Sequence, residues 1–71
     1  MKPQPFRIVK SKLEKAGFSE VGQIGSHVKF AKTTDEETRT ATVPKHRESA
    51  SGTLRSILRQ AGLSEDEFNN L

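Results

Sequence analysis

The chain has 71 residues, about 22 of them hydrophobic, and carries 12 Lys plus Arg against 9 Asp plus Glu for a formal charge of +3. A chain this short buries only about 60% of the surface its unfolded form exposes, which predicts one small domain over residues 1–71 and excludes a large enclosed cofactor cavity. The absence of cysteine excludes disulfides, a thiolate nucleophile and sulfur-ligated zinc.

No apolar run approaches the roughly 20 residues that span a bilayer, and Met1 to Val9 lacks a signal-peptide core. The expected location is the cytoplasm, with no membrane partner. The first 60 residues hold all 12 basic side chains and 6 of the 9 acids, whereas the remainder holds Glu65, Asp66 and Glu67 and no base. A basic body with an acidic tail suits nucleic acid or an acidic protein, and equally an ordinary solvated surface.

Pro3 and Pro5 close a loose start. Phe6, Val9, Leu13 and Ala16 then recur at spacings of three and four, with Lys10, Lys12, Glu14 and Lys15 between them. This predicts an amphipathic helix from about Pro5 to Ala16. Gly17 stands where a left-handed C-cap belongs, and Phe18 can fold back on the last turn. Val21 and Ile24 suggest a short strand near Glu20 to Ile24, interrupted by Gly22, with Gly25 as a turn or bulge. Ser26 to Lys32 alternates more cleanly: Val28 and Phe30 point to one face, His27, Lys29 and Ala31 to the other. Thr34 to Glu37 reads as a hairpin loop. Thr38 to Val43 is rich in β-branched residues and is ended by Pro44. In this third strand Ala41 and Val43 favour one buried face and Thr38, Thr40 and Thr42 the other, so the pattern alone leaves the choice open.

After a polar connection, Leu54, Ile57, Leu58 and Ala61 form a second helical stripe, with Ser51 or Thr53 as its cap and Gly62 as its end. Ser64 followed by Glu67 is a capping box, with Leu63 and Phe68 at the staple positions. It opens a last helix of about two turns whose three acids suit the helix dipole. The order predicts an α+β fold, with three antiparallel strands in one sheet and two helices packed on one face.

His27 is the sharpest chemical candidate. If Val28 and Phe30 are core, His27 faces away from the helices beside Lys29, where an imidazole can transfer a proton near neutral pH and an ammonium can hold a phosphate. By spacing alone, an exposed strand histidine without a chemical duty is the commoner case. His46 lies in the basic run Lys45-His46-Arg47, which can contact phosphate. Arg55 and Arg59 line the polar side of the second helix, toward a ligand or toward water. The two histidines stand 19 residues apart without clustered carboxylates, so no metal and no cofactor are expected. The four phenylalanines are all explicable as packing, and without Tyr or Trp a base-stacking platform has little support.

Four pieces of the chain, in this order and spacing, resemble the HicA toxins, the small ribonuclease half of HicA–HicB toxin–antitoxin pairs. They are Lys15-Ala16-Gly17-Phe18; Gly25-Ser26-His27 with Phe30 beyond; Thr42-Val43-Pro44 followed by His46; and Gly52 through Gly62. The resemblance implies a double-stranded-RNA-binding-like α-β-β-β-α fold and an endoribonuclease, an mRNA interferase, acting on RNA. It implies that the histidine of Gly-Ser-His, here His27, is catalytic, and that a HicB-like antitoxin covers its face. Ser26, Lys29, Lys45, His46, Arg47, Arg55 and Arg59 are the expected RNA contacts. The alternative reading is a non-catalytic double-stranded-RNA-binding module.

Overall fold

A computed structural model describes residues 1–71 as α1 (Phe6–Lys15), β1 (Ser19–Ile24), β2 (His27–Thr33), β3 (Thr38–Pro44), α2 (Ser51–Ala61) and α3 (Glu65–Asn69). The α-β-β-β-α order and the short final helix are those expected from the sequence.

Pro5 takes the N-cap position of α1 in an extended conformation (φ −70°, ψ 156°), so the helix starts at Phe6, one residue later than the expected Pro5. At the other end Phe18 N–H donates to Leu13 C=O at 2.9 Å and Gly17 N–H to Glu14 C=O at 3.0 Å. This paired closure satisfies two carbonyls that a helix end otherwise leaves open. The second helix ends the same way: Leu63 N–H donates to Leu58 C=O at 2.9 Å and Gly62 N–H to Arg59 C=O at 3.3 Å. Gly62 has φ +72°, the left-handed region that glycine reaches without a Cβ clash.

The start of α2 differs from the sequence expectation. Its N-cap is Ala50, not Ser51 or Thr53, and no side chain caps it. The cause lies one residue earlier, where Ser49 N–H donates to Gln4 C=O at 2.8 Å and Ser49 C=O accepts Gln4 N–H at 3.0 Å. This isolated antiparallel bridge holds residue 49 extended and ties the N-terminal segment to the loop before α2. The helix begins as soon as the chain leaves the bridge, so Ser51 is already helical.

The strands form one antiparallel sheet in the order β1-β2-β3. Phe30 lies opposite Ala41 and Val28 opposite Val43, and all four are fully buried. The Ala41–Val43 face of β3 is therefore the core face, and Thr38, Thr40 and Thr42 point to solvent. Val9 and Leu13 of α1 and Leu54, Ile57, Leu58 and Ala61 of α2 join these four in a single core with Phe18 and Phe68. Both long helices thus cover one side of the sheet, and the other side is open. Truncating a side chain buried like Phe30 costs about 3–5 kcal/mol, comparable with the whole margin of a domain this small.

The two sheet edges differ. At β3, the Thr42 N–H donates to Gln60 Oε1 at 3.1 Å, so α2 occupies part of that edge. At β1, all six residues are exposed, Val21 and Ile24 included, and the register shifts between Glu20 and Gly22. The bulge therefore falls at Val21, before Gly22, while Gly25 serves the turn that follows.

The last helix spans five residues, shorter than the expected two turns, and carries the full capping box. Ser64 Oγ accepts from Glu67 N–H at 3.0 Å, and Glu67 Oε1 accepts from Ser64 N–H at 3.0 Å. Phe68 is fully buried and its ring lies 4.7 Å from the Lys12 ammonium, so docking on α1 rather than length holds this helix.

Two stability predictions follow from this packing. Ser49 is fully buried and its hydroxyl finds no hydrogen-bond partner, a situation that costs about 1–3 kcal/mol. Ser49→Ala is expected to leave the melting temperature unchanged or raise it, although most substitutions of buried residues lower it. Glu67 is held below the ordinary glutamate pKa first by the Ser64 backbone N–H, then by the Ser64 side chain, with the Lys32 charge adding. A depressed folded pKa gives stability that is complete above the unfolded value and lost as pH falls through the folded one. Thermal scans between pH 7 and pH 2 are expected to show a smaller loss on acidification for Glu67→Gln than for the wild type.

Candidate nucleic-acid interface

The candidate site is set by a two-residue hairpin. Gly25 has φ +59° and Ser26 does not, the pattern of a type II′ turn with glycine at its first central position. The turn places Ile24 opposite His27. Ser26 C=O accepts Lys45 N–H at 2.7 Å, which pins the turn to the chain leaving β3.

His27 is exposed, and its other cross-strand neighbour is Pro44. Because Val28 and Phe30 enter the core, alternation puts His27 and Lys29 together on the uncovered face. Lys29 lies opposite Gly22 on β1 and Thr42 on β3. A Cβ built at Gly22 would meet nothing within 4 Å, so the space at that position, across from Lys29, is open.

The other expected contacts distribute unevenly. His46 and Arg47 are exposed in the loop that follows Lys45, close in register to His27, but no hydrogen bond joins either to it. Lys45 turns the other way: its Nζ donates to Gln23 Oε1 at 3.5 Å, and Gln23 lies opposite the core residue Val28. Lys45 therefore sits at the rim, toward the side away from His27. Arg55 Nε lies 3.9 Å from Glu65 Oε2, between α2 and α3. Arg59 is on the same helix, so the sheet separates both arginines from His27. Ile24, directly opposite His27 and 84% exposed, reads in the sequence only as a residue of the first strand, not as a neighbour of the site. The signal for it was the two-residue Gly25-Ser26 turn, which pairs the residues on either side.

No three His, Cys, Asp or Glu side chains come together in a metal-binding group. One cleft, of about 190 Å³, lies at the far end of the sheet, between Lys32, Arg39, Gly62 and Glu67. No helix is long and apolar enough to cross a membrane.

The class defined by these features is a small α+β domain of α-β-β-β-α topology, with one covered sheet face and one open face that bears a histidine and a lysine. The family model described as the HicA toxin of bacterial toxin–antitoxin systems matches residues 6–63, most of the 71-residue chain. The chain belongs to the HicA toxin family. A comparison with curated proteins returned no match.

The turn makes a specific demand on its glycine. A β-branched side chain at a left-handed position costs about 1–2 kcal/mol. Gly25→Val is expected to lower stability by that amount in chemical denaturation and to shift the amide resonances of Ile24, Ser26 and His27 more than those of α1.

Proposed function

We propose that the chain is the toxin of a toxin–antitoxin pair and an endoribonuclease acting on mRNA, with His27 as its catalytic base. The observation that carries this reading is the exposure of His27 beside Lys29 on the open sheet face of a HicA-family domain. All 71 residues act as one domain, with both chemical groups on the same strand.

The reaction draws its nucleophile from the substrate. His27 accepts the proton of a ribose 2′-hydroxyl. The 2′-oxygen attacks the adjacent phosphorus, the phosphorus–5′-oxygen bond breaks, and the departing oxygen takes up a proton from solvent. The products are a 2′,3′-cyclic phosphate and a 5′-hydroxyl, and no step requires a metal ion. Lys29 supplies positive charge where negative charge gathers on the phosphorus oxygens, while His46 and Arg47 hold the flanking backbone and Lys45 the rim. Ser26 places the histidine through its turn. Arg55 and Arg59, on the helix layer, contact only an RNA long enough to pass around the sheet. Contacts of this kind position RNA without reading bases, so sequence preference is low. A HicB-like antitoxin covers the His27 face and blocks the reaction.

The test is incubation of the purified chain, free of antitoxin, with end-labelled RNA, in parallel with His27→Ala. The wild type is expected to cleave in excess chelator and leave cyclic-phosphate and 5′-hydroxyl ends. His27→Ala is expected to lose at least about a hundredfold in rate while RNA affinity changes little. Equal cleavage by both proteins would exclude His27 as the base. Salt-dependent RNA binding without cleavage by either would identify a non-catalytic RNA-binding module.

A further inference from the structure

We propose that β1 is the docking edge for the antitoxin. An extended segment of the partner adds as a fourth strand beside Gly22–Ile24, sets an apolar side chain on Ile24 and reaches across Gly22 with an acidic group toward Lys29. This rests on the toxin–antitoxin reading above and goes beyond it by naming the surface and the chemistry of what binds there.

Three observations converge on this edge. The chain has two exposed large hydrophobic side chains, Val21 (58%) and Ile24 (84%), and both are on β1. The opposite edge is partly occupied, since Gln60 accepts the Thr42 N–H and Pro44 ends the strand. No such cover lies on β1, whose six residues are all exposed. Antiparallel alternation from the Ile24–His27 pair aims the Gln23 N–H and C=O away from β2, toward any added strand. The bulge at Val21 blunts the upper part of the edge and leaves Gly22–Ile24 as the usable stretch.

Charge decides the occupant. The ion pairs of the chain are Lys10–Glu20, Arg39–Glu37 and Arg55–Glu65, and Lys29, which shares the open face with Ile24, is in none of them. A second copy paired edge to edge would offer Lys29 no acid, because Gly22–Ile24 carries none. RNA phosphates would satisfy Lys29 and accept the Gln23 N–H, but would set charge rather than apolar surface on Ile24. A protein strand with an apolar side chain and flanking acids satisfies all three, as in strand addition to other exposed edges.

The test titrates the purified cognate antitoxin into the wild-type chain, Ile24→Ser and Lys29→Ala by calorimetry, and follows amide hydrogen exchange in the wild-type complex. Ile24→Ser is expected to keep the wild-type melting temperature, because the side chain is outside the core, and to weaken antitoxin binding about tenfold or more. The Gln23 amide is expected to exchange rapidly in the free chain and slowly in the complex. Unchanged affinity in Ile24→Ser, or unchanged Gln23 exchange, would overturn the docking edge and leave the toxin–antitoxin reading intact. A wild-type chain that binds no antitoxin would overturn both. Loss of RNA affinity in Ile24→Ser with antitoxin affinity retained would assign the surface to substrate and likewise overturn the proposal. Absence of RNA cleavage by the free wild type bears on the nuclease reading alone.

Discussion

Burial of Val28 and Phe30 beneath the two long helices is the constraint on which the rest of the molecule depends. Side chains on a strand alternate with a period of two, so fixing these two in the core also fixes His27 and Lys29 on the opposite face. A slip of one residue in the pairing of β2 would put an imidazole and an ammonium into the core and two large apolar groups into water. The Gly25-Ser26 turn and the matched burial of Ala41 and Val43 on β3 resist that slip from both sides. The core is thus also what orients the open face, and a mutation that loosened it would act on the site without touching it.

The two ends of the sheet handle positive charge in opposite ways. At the end remote from His27, Lys32 and Arg39 are directly opposed across β2 and β3, an arrangement that repels. Each has a local answer. Lys32 Nζ donates to the Ala16 C=O at 2.7 Å, at the negative end of the α1 dipole. Arg39 Nε lies 3.0 Å from Glu37 Oε1, and its side chain crosses Gly62 so closely that a Cβ there would fall 2.7 Å from the guanidinium. Near His27, by contrast, Lys29 has neither a carboxylate nor a helix end. Charge left uncompensated at one end while it is compensated at the other is the electrostatic asymmetry that a polyanion or an acidic protein would meet.

Much of this was legible in the sequence because it is carried by local rules. The spacing of Val9, Leu13, Leu54, Ile57, Leu58 and Ala61 marked both helical stripes, Gly17 and Gly62 marked their ends, and Ser64 with Glu67 marked the last helix. The alternation from His27 to Phe30 gave the two faces of β2 directly. What escaped depends on contacts distant in sequence. Neither Ser51 nor Thr53 caps α2, because the bridge between Gln4 and Ser49 sets where the helix begins. The buried face of β3 could not be chosen until its register with Phe30 and Val28 was known. Arg55 reads as a free cation in sequence, but the turn at Gly62 folds α3 back so that Glu65 comes within 3.9 Å of it. Lys45 follows the same logic: the hydrogen bond to Ser26 that pins the hairpin also turns its ammonium toward Gln23.

Small size shapes how such a protein is used and controlled. With twelve residues in its core, the chain has no interior in which to shield a reactive group, so its chemistry has to lie on the surface. In the proposed reaction a nucleophile supplied by the RNA removes the need for shielding, because the protein then has only to present a base and a cation on a rigid face. The same exposure makes inhibition simple in geometry. Ile24 and His27 are neighbours across one turn, so a strand added beside β1 at Ile24 would stand two strand spacings, about 10 Å, from the histidine without any rearrangement of the sheet. In the proposed arrangement the docking edge and the reactive group are adjacent because a two-residue hairpin joins them. Lengthening that turn would separate affinity for the partner from inhibition of the reaction.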